Sequence, residues 1–341
     1  MPDFSLAETQ PCEKATDCPK ENQAVFSSAT EIPRAFAENP QLEKVEFINS
    51  NISSIELGAF EGLKNLKNIE VSGSELTSLP VGVFNDLSNM EELVLKSNKL
   101  QRLDKGYFVG FPQLKTLTLK NNRLKSLPPV LFGEMPKLTE LSLQQNNLSS
   151  LPKEIFRPLK KIRKLDLSKN KFITLFPEYF EGPEKLTELN LQNNMIESLN
   201  EDLFEKLQSL ATLKLAHNNL QTLPGDIFEP LGKLRKLDLS NNPWLCDCNL
   251  KNFHSWITGN AAKLTPPPLC EYPEDLKGTK IQSLTEDQLI FLLIFHLTHS
   301  YSKGVAEIHK TSSLTFTENK RQEVLSLGTV LQIRDTGAGR W

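Results

Sequence analysis

The sequence lacks three features that would mark broad functional classes. The longest apolar run, residues 289–295, is far too short to cross a bilayer, so no membrane insertion is predicted. The formal net charge of −3 shows no basic excess, which argues against a nucleic-acid partner and against a polybasic membrane contact. The opening stretch MPDFSLAETQ has neither a basic start nor an apolar segment, so it predicts no signal peptide. We therefore expect the partners to be proteins.

Groups that carry out catalysis are also scarce. No nucleophile, base and orienting acid converge in any recognisable pattern, and there is no phosphate-binding loop or paired-carboxylate motif. Three cysteines and one histidine near residue 250 lack the regular spacing of a zinc site. We expect no enzyme activity, no cofactor and no bound metal. The five histidines are scattered along the chain, at His217, His254, His296, His299 and His309.

What the sequence does contain is a repeat of 24 residues with the template LxxLxLxxNxLxxLPxxxFxxLxx. The LxL core alternates with a period of two, which is typical of a short strand with one face buried. We interpret the chain as an α/β leucine-rich-repeat solenoid, with a curved parallel β-sheet on the concave side and short helical or irregular convex segments. The template begins at Leu42, Leu66, Met90, Leu114, Leu138, Ile162, Leu186 and Leu210, and starts again at Leu234.

Two template positions are predicted to be structural. An asparagine after each strand can bond the backbone groups that are freed where the chain turns. The first two repeats have Ser50 and Ser74 there, so we expect that end to be looser. A phenylalanine on the convex side recurs in eight repeats and predicts a continuous buried spine rather than a cofactor site. These residues are Phe60, Phe84, Phe108, Phe132, Phe156, Phe180, Phe204 and Phe228.

The outward-facing positions of the predicted strands define the side chains expected on the concave face. These positions run from Lys44, Glu46 and Ile48 to Lys236, Asp238 and Ser240, and they are polar and mixed in charge. They contain no Arg, Phe, Tyr or Trp, the residues that most often anchor protein interfaces. The densest basic patch is predicted between the third and fourth repeats, and we interpret it as a surface for an anionic partner; the alternative is an ordinary solvated face. It comprises Lys96, Lys99, Arg102, Lys120, Arg123 and Lys125.

The ends of the array carry cap-like sequences. All five cysteines lie in them, which favours an oxidising compartment. Two sequons, at Asn51 and Asn147, agree with an extracellular glycoprotein. At the carboxyl end, NPWLCDCNL is followed by an aromatic helix, a later cysteine and SLTEDQLI. This sequence resembles the C-terminal cap of extracellular leucine-rich-repeat proteins.

From about residue 12 to residue 290 the chain is similar to the secreted serum leucine-rich-repeat glycoproteins. That group includes leucine-rich alpha-2-glycoprotein, the beta-type phospholipase A2 inhibitors and the regulatory subunit of carboxypeptidase N. The second repeat, with the sequence IEVSGSEL, is especially similar to the last of these. The resemblance implies a Cys246–Cys270 disulfide and a partner for Cys248 at position 291. Because Phe291 stands there, Cys248 is expected to be an unpaired thiol. We expect Cys12 and Cys18 to pair with each other.

These features predict four segments. Residues 1–41 form an N-terminal segment and cap, residues 42–241 the repeats, residues 242–290 the C-terminal cap, and residues 291–341 a tail without repeat periodicity. Two interpretations of the tail stay open: an artefact of the gene model, or a genuine extension.

The resemblance implies a secreted, non-catalytic glycoprotein that binds other proteins and modulates extracellular signalling. Its relatives bind receptor components, phospholipase A2 or a carboxypeptidase catalytic subunit. The alternatives are therefore a phospholipase A2 inhibitor, a regulatory subunit that stabilises a carboxypeptidase, and a receptor ectodomain whose anchor is missing from the sequence.

Overall fold

The computed structural model describes residues 22–289, except residues 28, 35, 37, 38, 109 and 134. Its one α-helix of more than two turns is α1 (Lys251–Gly259), and single 3₁₀ turns cover Pro177–Phe180, Cys248–Leu250, Ala261–Lys263, Glu274–Leu276 and Ile281–Ser283. The strands are β1 (Gln23–Phe26), β2 (Glu31–Ile32), β3 (Lys44–Ile48), β4 (Ser54–Ile55), β5 (Asn68–Ser72), β6 (Glu92–Val94), β7 (Thr116–Thr118), β8 (Glu140–Ser142), β9 (Lys164–Asp166), β10 (Glu188–Asn190), β11 (Thr212–Lys214), β12 (Lys236–Asp238), β13 (Trp244–Leu245) and β14 (Cys270–Tyr272).

One parallel sheet runs through all the repeats in the order β1-β3-β5-β6-β7-β8-β9-β10-β11-β12. From β3 onward, neighbouring strands pair at an offset of one repeat, so that Leu93 is opposite Leu117 and Leu117 is opposite Leu141. The leucines of the LxL core are buried, while most of the residues between them are accessible. The repeat therefore fixes both the register and the buried face, which confirms the predicted solenoid.

The asparagine position forms a hydrogen-bonded ladder between repeats. Asn170 is representative: its Oδ1 accepts from the Leu148 N–H at 3.1 Å, and its Nδ2 donates to the Leu143 and Leu167 carbonyls at 3.0 Å each. The same arrangement links each repeat to the preceding one from Asn98 onward, and all these asparagines are buried. In the second repeat Ser74 occupies this position, and its side chain donates a single 3.4 Å hydrogen bond, to the Ser72 carbonyl. This repeat therefore has fewer side-chain hydrogen bonds than the later ones.

The phenylalanine spine lies on the convex side. All eight side chains are buried, and four pairs from successive repeats have ring centroids between 6.0 Å, for Phe60–Phe84, and 6.4 Å, for Phe132–Phe156. Aromatic rings at this separation attract one another, and this contact stabilises the fold beyond the effect of burying their area. The spine and the inward leucines belong to one continuous core.

The N-terminal cap contributes a strand that the repeat template did not predict. Strand β1 pairs with β3 and makes the sheet ten strands wide instead of nine. Phe26 stacks on Phe47 with ring centroids 4.8 Å apart. The cap sequence contains no LxxLxL pattern, and for that reason the expected count was one strand short.

The C-terminal cap closes the other end of the core. Leu250, Phe253, Trp256 and Ile257 are buried, and the Trp256 ring packs on Phe228 at a centroid distance of 4.9 Å. A disulfide joins Cys246 in the turn before α1 to Cys270 in β14, with their Cα atoms 5.8 Å apart. Stacking the last repeat against an aromatic helix keeps its apolar face out of water.

Within the described residues, no helix is both long enough and apolar enough to cross a bilayer.

Candidate binding surfaces

The concave face presents a lattice of ion pairs between neighbouring repeats. Lys96 lies 2.9 Å from Glu70, and Lys164 and Lys214 lie 2.7 Å from Glu140 and Glu188 respectively. The hydrogen bond to Glu140 raises the pKa of Lys164 and so favours the charged form of this lysine. Because the two signs alternate across the strands, much of the charge on this face is neutralised internally.

A shallow hollow of about 370 Å³ lies at the centre of the concave face. Its floor is formed by buried leucines of β7, β8 and β9, and its rim by the charged and hydroxyl side chains around them, including Thr118, Ser142 and Asp166. No histidine or cysteine of the described part of the chain lines it. The hollow can accept a protrusion from a partner, but its lining carries no evident nucleophile and base pair.

Five concave positions that were expected to face outward are buried, namely Ser72, Val94, Ser168, Asn190 and Ala216. Ser168 is an example. Its Oγ donates to Asp166 Oδ1 at 2.6 Å, so the longer Asp166 side chain lies over this small one. Small residues on a concave surface are covered by the longer side chains beside them. The accessible concave face is therefore narrower than its alternating pattern suggests.

The basic patch predicted from the sequence divides in two. Lys96 and Lys99 form ion pairs with Glu70 and Glu75 of the preceding repeat. The other four residues are exposed, and none has a carboxylate within 4 Å in the described part of the chain. They are Arg102, Lys120, Arg123 and Lys125, here called the four-cation cluster. Arg102, Arg123 and Lys125 lie at the post-strand edge, the side of the solenoid where the chain leaves each strand. Lys120 lies where this edge meets the concave face, at the repeat position of Lys96.

The two sequons occupy the same repeat position. Asn51 and Asn147 are four repeats apart, and both lie at the post-strand edge, as does Arg123 between them. Asn51 is exposed and Asn147 is partly buried. Sugars at these positions would stand on either side of the four-cation cluster without entering the concave face. Glycosylation itself stays a prediction.

The remaining cysteines and histidines do not form a site among the described residues. Cys248 is partly buried and has no disulfide partner within that part of the chain; Cys12 and Cys18, predicted to pair, lie outside it, as do His296, His299 and His309 and the tail from residue 291. His254 is buried, and its Nε2 donates to the Leu284 carbonyl at 3.0 Å. No group of three or more metal-binding side chains occurs within residues 22–289.

A second cationic surface was not identified from the sequence. It is a groove of about 590 Å³ at the pre-strand edge, the side where the chain enters each strand. Four exposed cations line it: Arg163, Lys185, Lys233 and Arg235. They are spread over 73 residues, so a local search for charge runs passes over them. Aligning the residues one and three places before each strand would have revealed them.

Several solved structures share this fold. A chain of the octameric complex of Latrophilin 3, Unc5D and FLRT2 (LRR) aligns with a TM-score of 0.64 and 24% identity over 73% of this chain and 78% of that one. Human 5T4 (Wnt-activated inhibitory factor 1, Trophoblast glycoprotein) aligns with a TM-score of 0.59 and 26% identity over 72% and 93%. A chain of the Drosophila Toll–Spatzle complex gives 0.57 and 19% over 78% and 54%, so about half of that chain is covered.

A comparison with curated protein sequences found no match. A family model described as "Leucine rich repeat" matches residues 64–124, 112–172, 136–196 and 184–243. These matches together span residues 64–243, more than half of the 341-residue chain. They cover strands β5 to β12, the asparagine ladder and all of the phenylalanine spine except Phe60. The chain belongs to the leucine-rich repeat family.

Proposed function

We propose that this chain is a secreted, non-catalytic glycoprotein that binds other proteins, in the manner of the serum leucine-rich-repeat glycoproteins that its caps resemble. The observation that carries this proposal is the open ten-stranded concave sheet, whose accessible side chains are charged and polar. A surface of this kind offers many contacts to a macromolecule but no enclosed cavity to a small substrate.

The secreted location is supported by the cap chemistry. A disulfide between Cys246 and Cys270 is stable in an oxidising compartment and is rare in the cytosol. The exposed Asn51 side chain is available to a glycosyltransferase. These features favour an extracellular protein over an intracellular one.

The partner surface is proposed to include the four-cation cluster. Its charges are not neutralised within the described chain, unlike those of Lys96 and Lys99 beside it. Unpaired exposed charges accelerate association with a partner of opposite sign. The structural relatives include chains solved in complexes, with Latrophilin 3 and Unc5D in one case and with Spatzle in another, which supports a binding role for the fold.

The test is direct binding of the full chain to candidate partners. The immobilised protein would be exposed to a secreted phospholipase A2, a carboxypeptidase catalytic subunit and plasma proteins identified by mass spectrometry. We expect saturable binding of at least one acidic protein, and a loss of roughly tenfold or more in affinity on combining Lys120→Glu with Arg123→Glu.

The matched control combines Lys64→Glu with Lys280→Glu, two exposed lysines without an ion pair in the described structure. This control changes the net charge equally and should keep the affinity. Inhibition of the lipase, or stabilisation of the peptidase, would decide between the two alternative functions. Absence of saturable binding to every protein tried would contradict the proposal.

A further inference from the structure

The groove at the pre-strand edge is built by four consecutive repeats. Arg163, Thr187, Ala211 and Arg235 each stand directly before a strand, from β9 to β12. Two residues earlier in three of these repeats are Lys185, Ser209 and Lys233, which line the same groove. Four of these residues, Arg163, Lys185, Lys233 and Arg235, are long cations, while Thr187, Ser209 and Ala211 between them are small.

Backbone hydrogen bonds fix the spacing of this groove. The Thr187 N–H donates to the Arg163 carbonyl at 2.8 Å, the Ala211 N–H to Thr187 at 2.9 Å, and the Arg235 N–H to Ala211 at 2.9 Å. Three successive strand spacings separate the backbones of Arg163 and Arg235, which is about 14 Å. A single small anion cannot contact both ends, whereas an extended ligand with repeated anionic groups can.

The cations of the groove are available to a ligand. No carboxylate lies within 4 Å of any of the four in the described residues, although Glu184 is next to Lys185 in sequence. On the concave face only a few residues away, Lys164 and Lys214 are both paired with glutamates. The groove therefore concentrates positive charge in a molecule whose net charge is −3, and such local patches attract polyanions.

The floor of the groove favours a sugar chain over a protein or a nucleic acid. It is formed by Thr187, Ser209, Ala211 and Gly232, which offer hydroxyl groups and little bulk. Among the described residues, no aromatic side chain lines the groove, so this part of the chain offers neither the anchors typical of protein interfaces nor the platforms on which unpaired bases stack.

We propose that this groove binds a sulfated polysaccharide of the heparan sulfate type. Sulfate groups repeated along an extended sugar chain can reach the cations at both ends, and the sugar hydroxyls can bond to Thr187 and Ser209. The ligand lies at the pre-strand edge, on the opposite side of the solenoid from the four-cation cluster. This site is independent of the proposed protein-binding function and leaves the concave face free.

Gly232 provides the sharpest test. A Cβ at this position would meet no atom within 4 Å, so a side chain can be added in the groove without a clash. Gly232→Glu places a carboxylate among the four cations, and Gly232→Gln is its neutral control of equal size. Binding of a heparin octasaccharide to the full chain would be measured by calorimetry. We expect the affinity to fall about fivefold in Gly232→Glu, and to change little in Gly232→Gln.

A second comparison uses the two cationic surfaces as controls for each other. One variant combines Arg163→Gln, Lys185→Gln, Lys233→Gln and Arg235→Gln; the other combines Arg102→Gln, Lys120→Gln, Arg123→Gln and Lys125→Gln. Each removes two arginines and two lysines, so the net charge changes equally. We expect heparin binding and its salt dependence to be lost in the first variant only.

Equal losses in both variants would overturn the proposal, because they would show attraction to total charge rather than to this groove. Failure of the octasaccharide to bind the wild-type chain saturably at low salt would also overturn it. Polyglutamate and single-stranded RNA serve as competing polyanions. Equally tight binding of either, with the same sensitivity to Gly232→Glu, would mean that the groove does not select sulfated sugars.

Discussion

At the scale of single residues, the asparagine ladder shows how one side chain can stabilise two repeats. Asn170 satisfies an N–H of one loop and the carbonyls of the residues directly after two strands, all of them buried. The polar groups that it satisfies have no access to water, so losing their partner is more costly than losing an exposed hydrogen bond.

We expect Asn170→Ala to lower the free energy of unfolding by about 2 kcal/mol, since it leaves the buried Leu148 N–H without a partner, while the Leu143 and Leu167 carbonyls keep Asn146 and Asn194 as donors. Ser74→Ala is the control, because it removes only a 3.4 Å hydrogen bond, and we expect it to cost less than about 1 kcal/mol. Urea unfolding of both variants gives the comparison. Equal losses would show that the ladder is not the source of the difference.

Tyr107 gives a residue-scale prediction that depends on pH. Burial, reinforced by a hydrogen bond to Asp104, raises its pKa to about 12, above the value near 10 of an unfolded chain. The unfolded state therefore loses this proton first, and stability that is complete below about pH 10 falls as the pH rises toward 12.

We expect Tyr107→Phe to remove this contribution. The variant is less stable than the wild type near pH 8, because the Leu79 carbonyl loses its buried donor, and the gap narrows by about 2 kcal/mol between pH 9 and pH 12. Urea unfolding across this range measures the gap. Parallel curves for the two proteins would contradict the assigned pKa.

At the scale of elements, the C-terminal cap combines a disulfide with aromatic packing. The Cys246–Cys270 bond closes a segment with a sequence separation of 24 and ties β14 to the turn before α1. Cross-linking a segment of this length stabilises the folded state by about 3 kcal/mol, chiefly by restricting the unfolded chain. Cys248 lies beside it without a partner in the described residues.

We therefore expect Cys246→Ala and Cys270→Ala to lower the unfolding free energy by similar amounts of about 3 kcal/mol each. The double variant should cost no more than about 1 kcal/mol beyond either single change, because the bond is already lost. Cys248→Ala is the matched control and should have little effect. A loss for Cys248→Ala as large as that for Cys246→Ala would show that this thiol has a structural partner after all.

At the scale of the whole molecule, the repeat period determined most of what could be predicted. A period of 24 residues specifies which leucines face the core and which neighbours pair, so the sheet and the spine followed from one template. Strand β1 did not follow, because its pairing with β3 depends on cap residues that lack the template. The burial of Val94 and Ala216 depends on curvature, which a strand pattern does not encode.

The candidate sites were less predictable because charge pairing is a three-dimensional property. The patch was predicted to lie beside Glu70, but only the folded repeats show that this carboxylate pairs with Lys96. The groove between Arg163 and Arg235 was missed for the converse reason: its cations are distant in sequence and become neighbours only through stacking. In a solenoid, such charge clusters are found by comparing the residues at the same template position of successive repeats.

The measurement that tests the extracellular assignment most directly is peptide mapping of the natural protein. The conditioned medium and the lysate of the producing cells would be analysed separately. We expect the protein in the medium, with Cys246 linked to Cys270, a free thiol at Cys248 and N-linked sugar on Asn51. Recovery only from the lysate, with Cys246 and Cys270 reduced and both sequons unmodified, would contradict a secreted glycoprotein.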